Sequence, residues 1–118
     1  MTDLVACLSS GKQTWGHLSK VISGVDWKKV YLITTEEFKS EFKSPKEVQL
    51  VVIDTKKTIL EMAEDIKKAL SGKVCDLEVG LNIISGEGRE HMAMISALLG
   101  MGVGIRLVVL TKEGVKVI

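Results

Sequence analysis

Two short stretches concentrate the residue types that suit a phosphate. Ser9-Ser10-Gly11-Lys12-Gln13-Thr14 and Ser85-Gly86-Glu87-Gly88-Arg89 are the loops richest in Gly and Ser, and each carries one basic residue. Small residues let backbone N–H groups approach an anion, and a helix opening after such a loop adds a favourable dipole. Lys12 and Arg89 would supply formal charge, Arg89 with the option of bidentate contacts. The ligand these loops imply is a phosphate-bearing nucleotide. The same composition also makes good turns and helix caps, which is the competing reading.

Other chemistries fit less well. Gly11-Lys12-Gln13-Thr14 resembles a P-loop only superficially. It lacks the first glycine of Gly-x-x-x-x-Gly-Lys-Ser/Thr and has no hydroxyl directly after the lysine, so ATP hydrolysis of that type is excluded. Neither loop completes Gly-x-Gly-x-x-Gly, and the second strand ends in Thr34-Thr35 without an acid, so a dinucleotide site is not expected. His17 and His91 have no partner at a metal-ligand spacing, so neither a metal nor a cofactor is expected. Both histidines read as solvated or capping residues, with His91 kept as a candidate because it falls in the first turn after the second glycine loop. Glu87 reads either as a general base or as an acid favoured by a helix N-terminus. Asn82 stands inside a strand, where Asn is disfavoured. It either holds the neighbouring loops in shape or touches a ligand base.

The elements that must position these residues follow from hydrophobic pattern. Leu4–Leu8 is a continuous apolar run, the mark of a strand buried on both faces. Trp15, Leu18, Val21 and Ile22 recur at helical spacing up to Gly24, with Thr14 as N-cap. Val30–Ile33 forms a second strand, and a short helix carrying Phe38 and Phe42 follows, broken at Pro45. Val48–Ile53 is the third strand. Thr58 and Glu61 have capping-box spacing ahead of the stripe Ile59, Met62, Ile66, Ala69 and Leu70. Leu77–Ile83, a helix over 88–100, Ile105–Leu110 and the short Val115–Ile118 complete the chain. The alternation predicts one α/β domain over 1–118: a doubly wound, Rossmann-like, mostly parallel sheet of order 3-2-1-4-5 with an antiparallel C-terminal edge strand. In such a sheet ligands bind outside the carboxyl ends of strands 1 and 4, where the two Gly/Ser loops lie.

The helix over 90–101 is the other unusual element. Met92, Ala93, Met94, Ile95, Ala97, Leu98 and Leu99 leave it almost no polar face. The sheet covers one side, and a second copy of the chain is expected on the other. Two crevices would then form one symmetric pocket.

Composition sets the outer limits. The 118 residues carry a net charge of +1 with acids and bases mixed, which argues against a duplex-binding face. No apolar run is long enough to cross a bilayer, and no basic segment precedes the first strand, so a cytoplasmic protein is expected. Cys7 and Cys75 are far apart and read as reduced, with one or both buried. One Asn and two Gln among many Lys and Glu is a balance common in thermophile proteins, although five Met pull the other way.

The segment Asn82-Ile83-Ile84-Ser85-Gly86-Glu87-Gly88-Arg89 resembles the CARF domains, the CRISPR-associated Rossmann-fold sensors, in which a strand-4 Asn precedes a Ser/Thr-Gly-Gly-Thr-Lys/Arg loop. Ser9-Ser10-Gly11 and the strand Val30–Thr34 are also similar. Glu87 stands where that family has its second glycine, and Met92 falls one residue later than usual. The resemblance implies a homodimer that binds a cyclic oligoadenylate second messenger across its two-fold axis. Ser10, Gly11, Lys12, Ser85, Gly86, Gly88 and Arg89 would meet phosphates and riboses. It also admits metal-independent ring cleavage by a ribose 2′-OH. Lys12 and Arg89 would then stabilise the phosphorane, and Ser10 or His91 would assist proton transfer. The alternatives are a partner-docking module built on the apolar helix, or a domain that binds a small phosphorylated metabolite.

Overall fold

The apolar run at the start of the chain becomes β1 (Leu4–Leu8), in which every residue is buried. It lies at the centre of a six-stranded sheet in the computed structural model, which describes residues 2–118. Its flanking partners are β2 (Val30–Thr34) and β4 (Glu78–Asn82), both parallel to it. Outside these run β3 (Gln49–Val52) and β5 (Gly104–Thr111), and β6 (Gly114–Val117) closes the far edge antiparallel to β5. The order β3-β2-β1-β4-β5-β6 is the doubly wound arrangement that the alternation of elements predicts.

Because strand side chains alternate, β1 feeds two separate cores. Leu4, Ala6 and Leu8 point toward α1 (Trp15–Gly24) and pack with its Leu18, Val21 and Ile22. Val5 and Cys7 point to the other face, toward α2 (Ile59–Leu70) and α3 (Gly88–Gly100). Each buried Leu or Ile contributes about 1.5–3 kcal/mol of apolar transfer, so both layers are needed. Gly80 of β4 makes room for a large side chain: a Cβ there would lie 2.7 Å from the Trp27 ring, whose indole N–H reaches the Val21 carbonyl at 2.9 Å.

The start of α2 is the capping box read from sequence. Thr58 Oγ1 accepts from the Glu61 amide at 3.1 Å, and Glu61 Oε1 accepts from the Thr58 amide at 3.0 Å. Thr14 behaves differently from expectation. Its hydroxyl donates backward to the Gly11 carbonyl at 2.6 Å, because a 3-10 turn over Lys12–Thr14 leads into α1. The short helix expected around Phe38 and Phe42 is also replaced by turns. So short a segment cannot offset helix nucleation. The two rings instead pack edge-on against Trp15, with centroids 5.9 and 5.8 Å away. Val51 of β3 packs toward α2, whereas Leu50 and Val52 on the opposite face, which no helix covers among the described residues, stay exposed.

The inner face of α3 buries Ala93, Met94, Ala97 and Leu98, while Met92 and Leu99 are 60% and 64% exposed on its outer flank. Cys7 is buried and Cys75 exposed, both free thiols. No helix among the described residues is long and apolar enough to cross a membrane.

Candidate functional site

The carboxyl ends of β1 and β4 meet, as the topology requires, but the crevice between them is closed. The Ser9 amide donates to Ser85 Oγ at 3.1 Å, and that hydroxyl reaches back to the carbonyls of Ser9 and Ser10 at 3.4 and 3.2 Å. The Gly86 amide donates to the Ser10 carbonyl at 2.9 Å. The two Gly/Ser loops are therefore joined into one rim.

Beneath the rim sits Glu90, 4% exposed, on the first turn of α3. Its Oε1 accepts from Ser9 Oγ at 2.6 Å and from the Glu87 amide at 2.8 Å. Cys7 Sγ lies 3.9 Å from both Glu90 Oε1 and Ser9 Oγ. Burial, and then the adjacent Glu90 charge, push the Cys7 thiol up to about 12, so it is not a nucleophile. Gly86 explains how these groups fit together. Its φ is +97°, and a Cβ there would lie 2.5 Å from Cys7 Sγ, 2.7 Å from Glu90 Oε1 and 2.9 Å from Ser9 Oγ.

Lys12 and Arg89 are both bonded to protein groups. Lys12 pairs with Glu41, and its Nζ lies 5.6 and 5.8 Å from the centroids of Trp15 and Phe38. Arg89 donates from Nη1 to the Thr55 carbonyl and from Nη2 to the Lys57 carbonyl, each at 2.7 Å, and so fixes the loop between β3 and α2. His91 Nε2 is 2.7 Å from the Ser85 carbonyl; since a carbonyl only accepts, that nitrogen carries the proton. Gln13 is exposed at the loop tip, and Ser10, Gly11 and Thr14 are partly exposed beside it. Glu87 and Gly88 are exposed at the start of α3.

Asn82 belongs to a different neighbourhood. It is buried on the α1 side of the sheet, where Nδ2 donates to the Val108 carbonyl at 2.8 Å and Oδ1 accepts from the Ile84 amide at 3.3 Å. Nδ2 also lies 3.3 Å from His17 Nε2, which receives the Leu110 amide at the same distance. Both neighbours are donors, so His17 Nε2 is unprotonated, and burial lowers the His17 pKa. Of the two roles open to Asn82 in sequence, these bonds fit the structural one.

The open space lies to the other side of β1. A cleft of about 740 Å³ spreads across the carboxyl ends of β1, β2 and β3, with Ser9, Ser10 and Glu90 on one wall and Thr35–Phe38 and Val52–Lys56 around it. Ser9, Ser10 and Glu87 are among the site residues singled out in sequence; Glu90 and the segments after β2 and β3 are not. The one available signal was Glu87 and Glu90 standing three residues apart ahead of an apolar run, the same spacing that marks Thr58 and Glu61. Among the described residues no cluster of three or more His, Cys, Asp or Glu could hold a metal ion.

No protein-family model, curated protein or solved structure matches the chain.

Proposed function

We propose that the chain is a nucleotide-binding domain that works as a two-fold pair and takes a cyclic oligoadenylate, the ligand class implied by the resemblance of Asn82–Arg89 to the CARF domains. The observation that carries this reading is the joined rim of Ser9–Ser10 and Ser85–Gly86. It is a hydrogen-bonded platform at the carboxyl edge of the sheet, followed directly by the Gly11–Lys12 turn. A phosphodiester ring is bound best by small side chains and backbone groups held in place beforehand. Lys12 is held there by an exposed ion pair with Glu41, and such pairs contribute little, so its ammonium is available to a phosphate.

The exposed Met92 begins one turn beyond the rim and Leu99 two turns further on. Pairing two copies through this stripe would set two rims side by side. Arg89 and His91 are engaged with backbone carbonyls, which supports binding rather than ring opening.

The test is incubation with labelled cyclic tetra- and hexa-adenylate without added metal, following retention and product. The expected result is retention of an intact ring, weakened about tenfold or more by Lys12→Ala, as for the loss of a charged hydrogen bond. Ring opening would make the protein a ring nuclease instead of a receptor. If neither ring is retained at micromolar protein, the ligand assignment fails.

A further inference from the structure

The segment between β2 and β3, residues 35–48, forms neither helix nor strand. Its turn is closed by the Phe38 and Lys39 amides donating to the Thr35 carbonyl and by the Glu41 amide donating to that of Phe38. Side chains from the far side of the rim fasten this turn from outside. Trp15, whose indole N–H donates to the Ser9 carbonyl at 3.0 Å, meets the rings of Phe38 and Phe42 edge-on. Lys12 reaches the same turn: its ammonium pairs with Glu41 and lies 5.6 and 5.8 Å from the centroids of Trp15 and Phe38. Glu41 has no other ion-pair partner among the described residues.

A carboxylate and a phosphate ask the same of an ammonium, which offers its N–H donors to either. Glu41 engages Lys12 and also sets a negative charge where a second anion must approach, so the two anions resist sharing it. Resting on the reading that Lys12 takes a phosphate, we propose that Glu41 is a built-in competitor for that place. In the free chain Glu41 holds Lys12 against the Trp15 and Phe38 rings, and a phosphate that captures Lys12 unfastens the turn over 35–42. Both side chains of the pair are about half-exposed, so the latch is weak enough to yield. It still lowers the apparent affinity, because a phosphate binds at full strength only where Lys12 is released. Leaving the two rings also gives up cation–π attraction.

The test is calorimetric titration of the full chain with inorganic tripolyphosphate at low ionic strength, a probe that does not depend on which nucleotide the rim takes. Glu41→Gln keeps the shape of an exposed side chain and should bind the probe about two- to fivefold more tightly than wild type, the range by which exposed ion pairs hold. Glu37→Gln removes the same charge from the same segment but has no ion pair with Lys12, and should change the affinity less. In a Lys12→Met background the Glu41→Gln gain should vanish. Adding tripolyphosphate to the wild type should speed amide exchange at Phe38, Lys39 and Glu41, as Glu41→Gln should by itself. No binding to wild type or Glu41→Gln at millimolar probe overturns the proposal, as does an equal gain in both Glu variants or exchange that the probe leaves unmoved. A Glu41→Gln gain for tripolyphosphate with retention of neither cyclic ring would support the latch and sink the ring assignment alone.

Discussion

Replacing Gly86 by Ala attacks the point where both glycine loops, the buried thiol and the Glu90 carboxylate meet. At φ +97° an L side chain is strained, by about 1–2 kcal/mol. The new methyl would also lie 2.5 Å from Cys7 Sγ and under 3.0 Å from Glu90 Oε1 and Ser9 Oγ. Something must yield, and separating Ser9 from Glu90 loses a charge-assisted hydrogen bond in a buried setting, about 1.5–3 kcal/mol. Together these predict a loss of about 3–5 kcal/mol out of a typical total of about 5–15. Urea unfolding followed by fluorescence of Trp15 and Trp27 reads this as a lowered midpoint at unchanged slope. Cys7→Ala removes the closest of the three contacts, so the double variant should lie at least about 0.5 kcal/mol above the sum of the singles. A Gly86→Ala protein within about 0.5 kcal/mol of wild type, or an additive double variant, would refute the packing described for this junction.

Asn82→Ala should cost about 1–3 kcal/mol by urea unfolding, because the buried Val108 carbonyl loses its donor; near-neutrality would contradict the structural role assigned to Asn82. His17 should titrate by NMR below the ordinary value of about 6.5. Since its folded pKa is the lower one, the unfolded chain binds the extra proton first. Its contribution to stability is therefore complete above about pH 6.5 and is lost as pH falls toward the native pKa. His17→Gln, which keeps an acceptor but does not titrate, should remove that part of the slope. Arg89→Ala should speed amide exchange in the loop between β3 and α2 while changing global stability by less than about 1 kcal/mol; unchanged exchange would contradict the clamp on Thr55 and Lys57. Leu99→Glu should shift the sedimentation of concentrated protein toward the monomer, and no shift would count against pairing through α3.

Much of the architecture was legible because β1 is apolar on every residue and β2 on every residue before Thr34, the pattern of central parallel strands, and because helix-length connections allow few topologies. The Thr58 capping box was equally plain, being a local motif. The site was less legible. Small residues that let a backbone approach a phosphate also let two loops approach each other, and Ser9, Ser85 and Gly86 do the latter. The directions of Lys12 and Arg89 depend on Glu41 and on the carbonyls of Thr55 and Lys57, all about thirty residues away in sequence. No local pattern encodes such contacts. The turn segment around Phe38 escaped for the same reason: Trp15, from another element, decides where its aromatic rings go.

The stoichiometry of cyclic oligoadenylate binding, measured by calorimetric titration of the full chain, tests the proposed function most directly. One ring per two chains is the predicted result, since two rims must share a single ligand across the two-fold axis. One ring per chain, or no heat with either the tetra- or the hexa-adenylate, would contradict it.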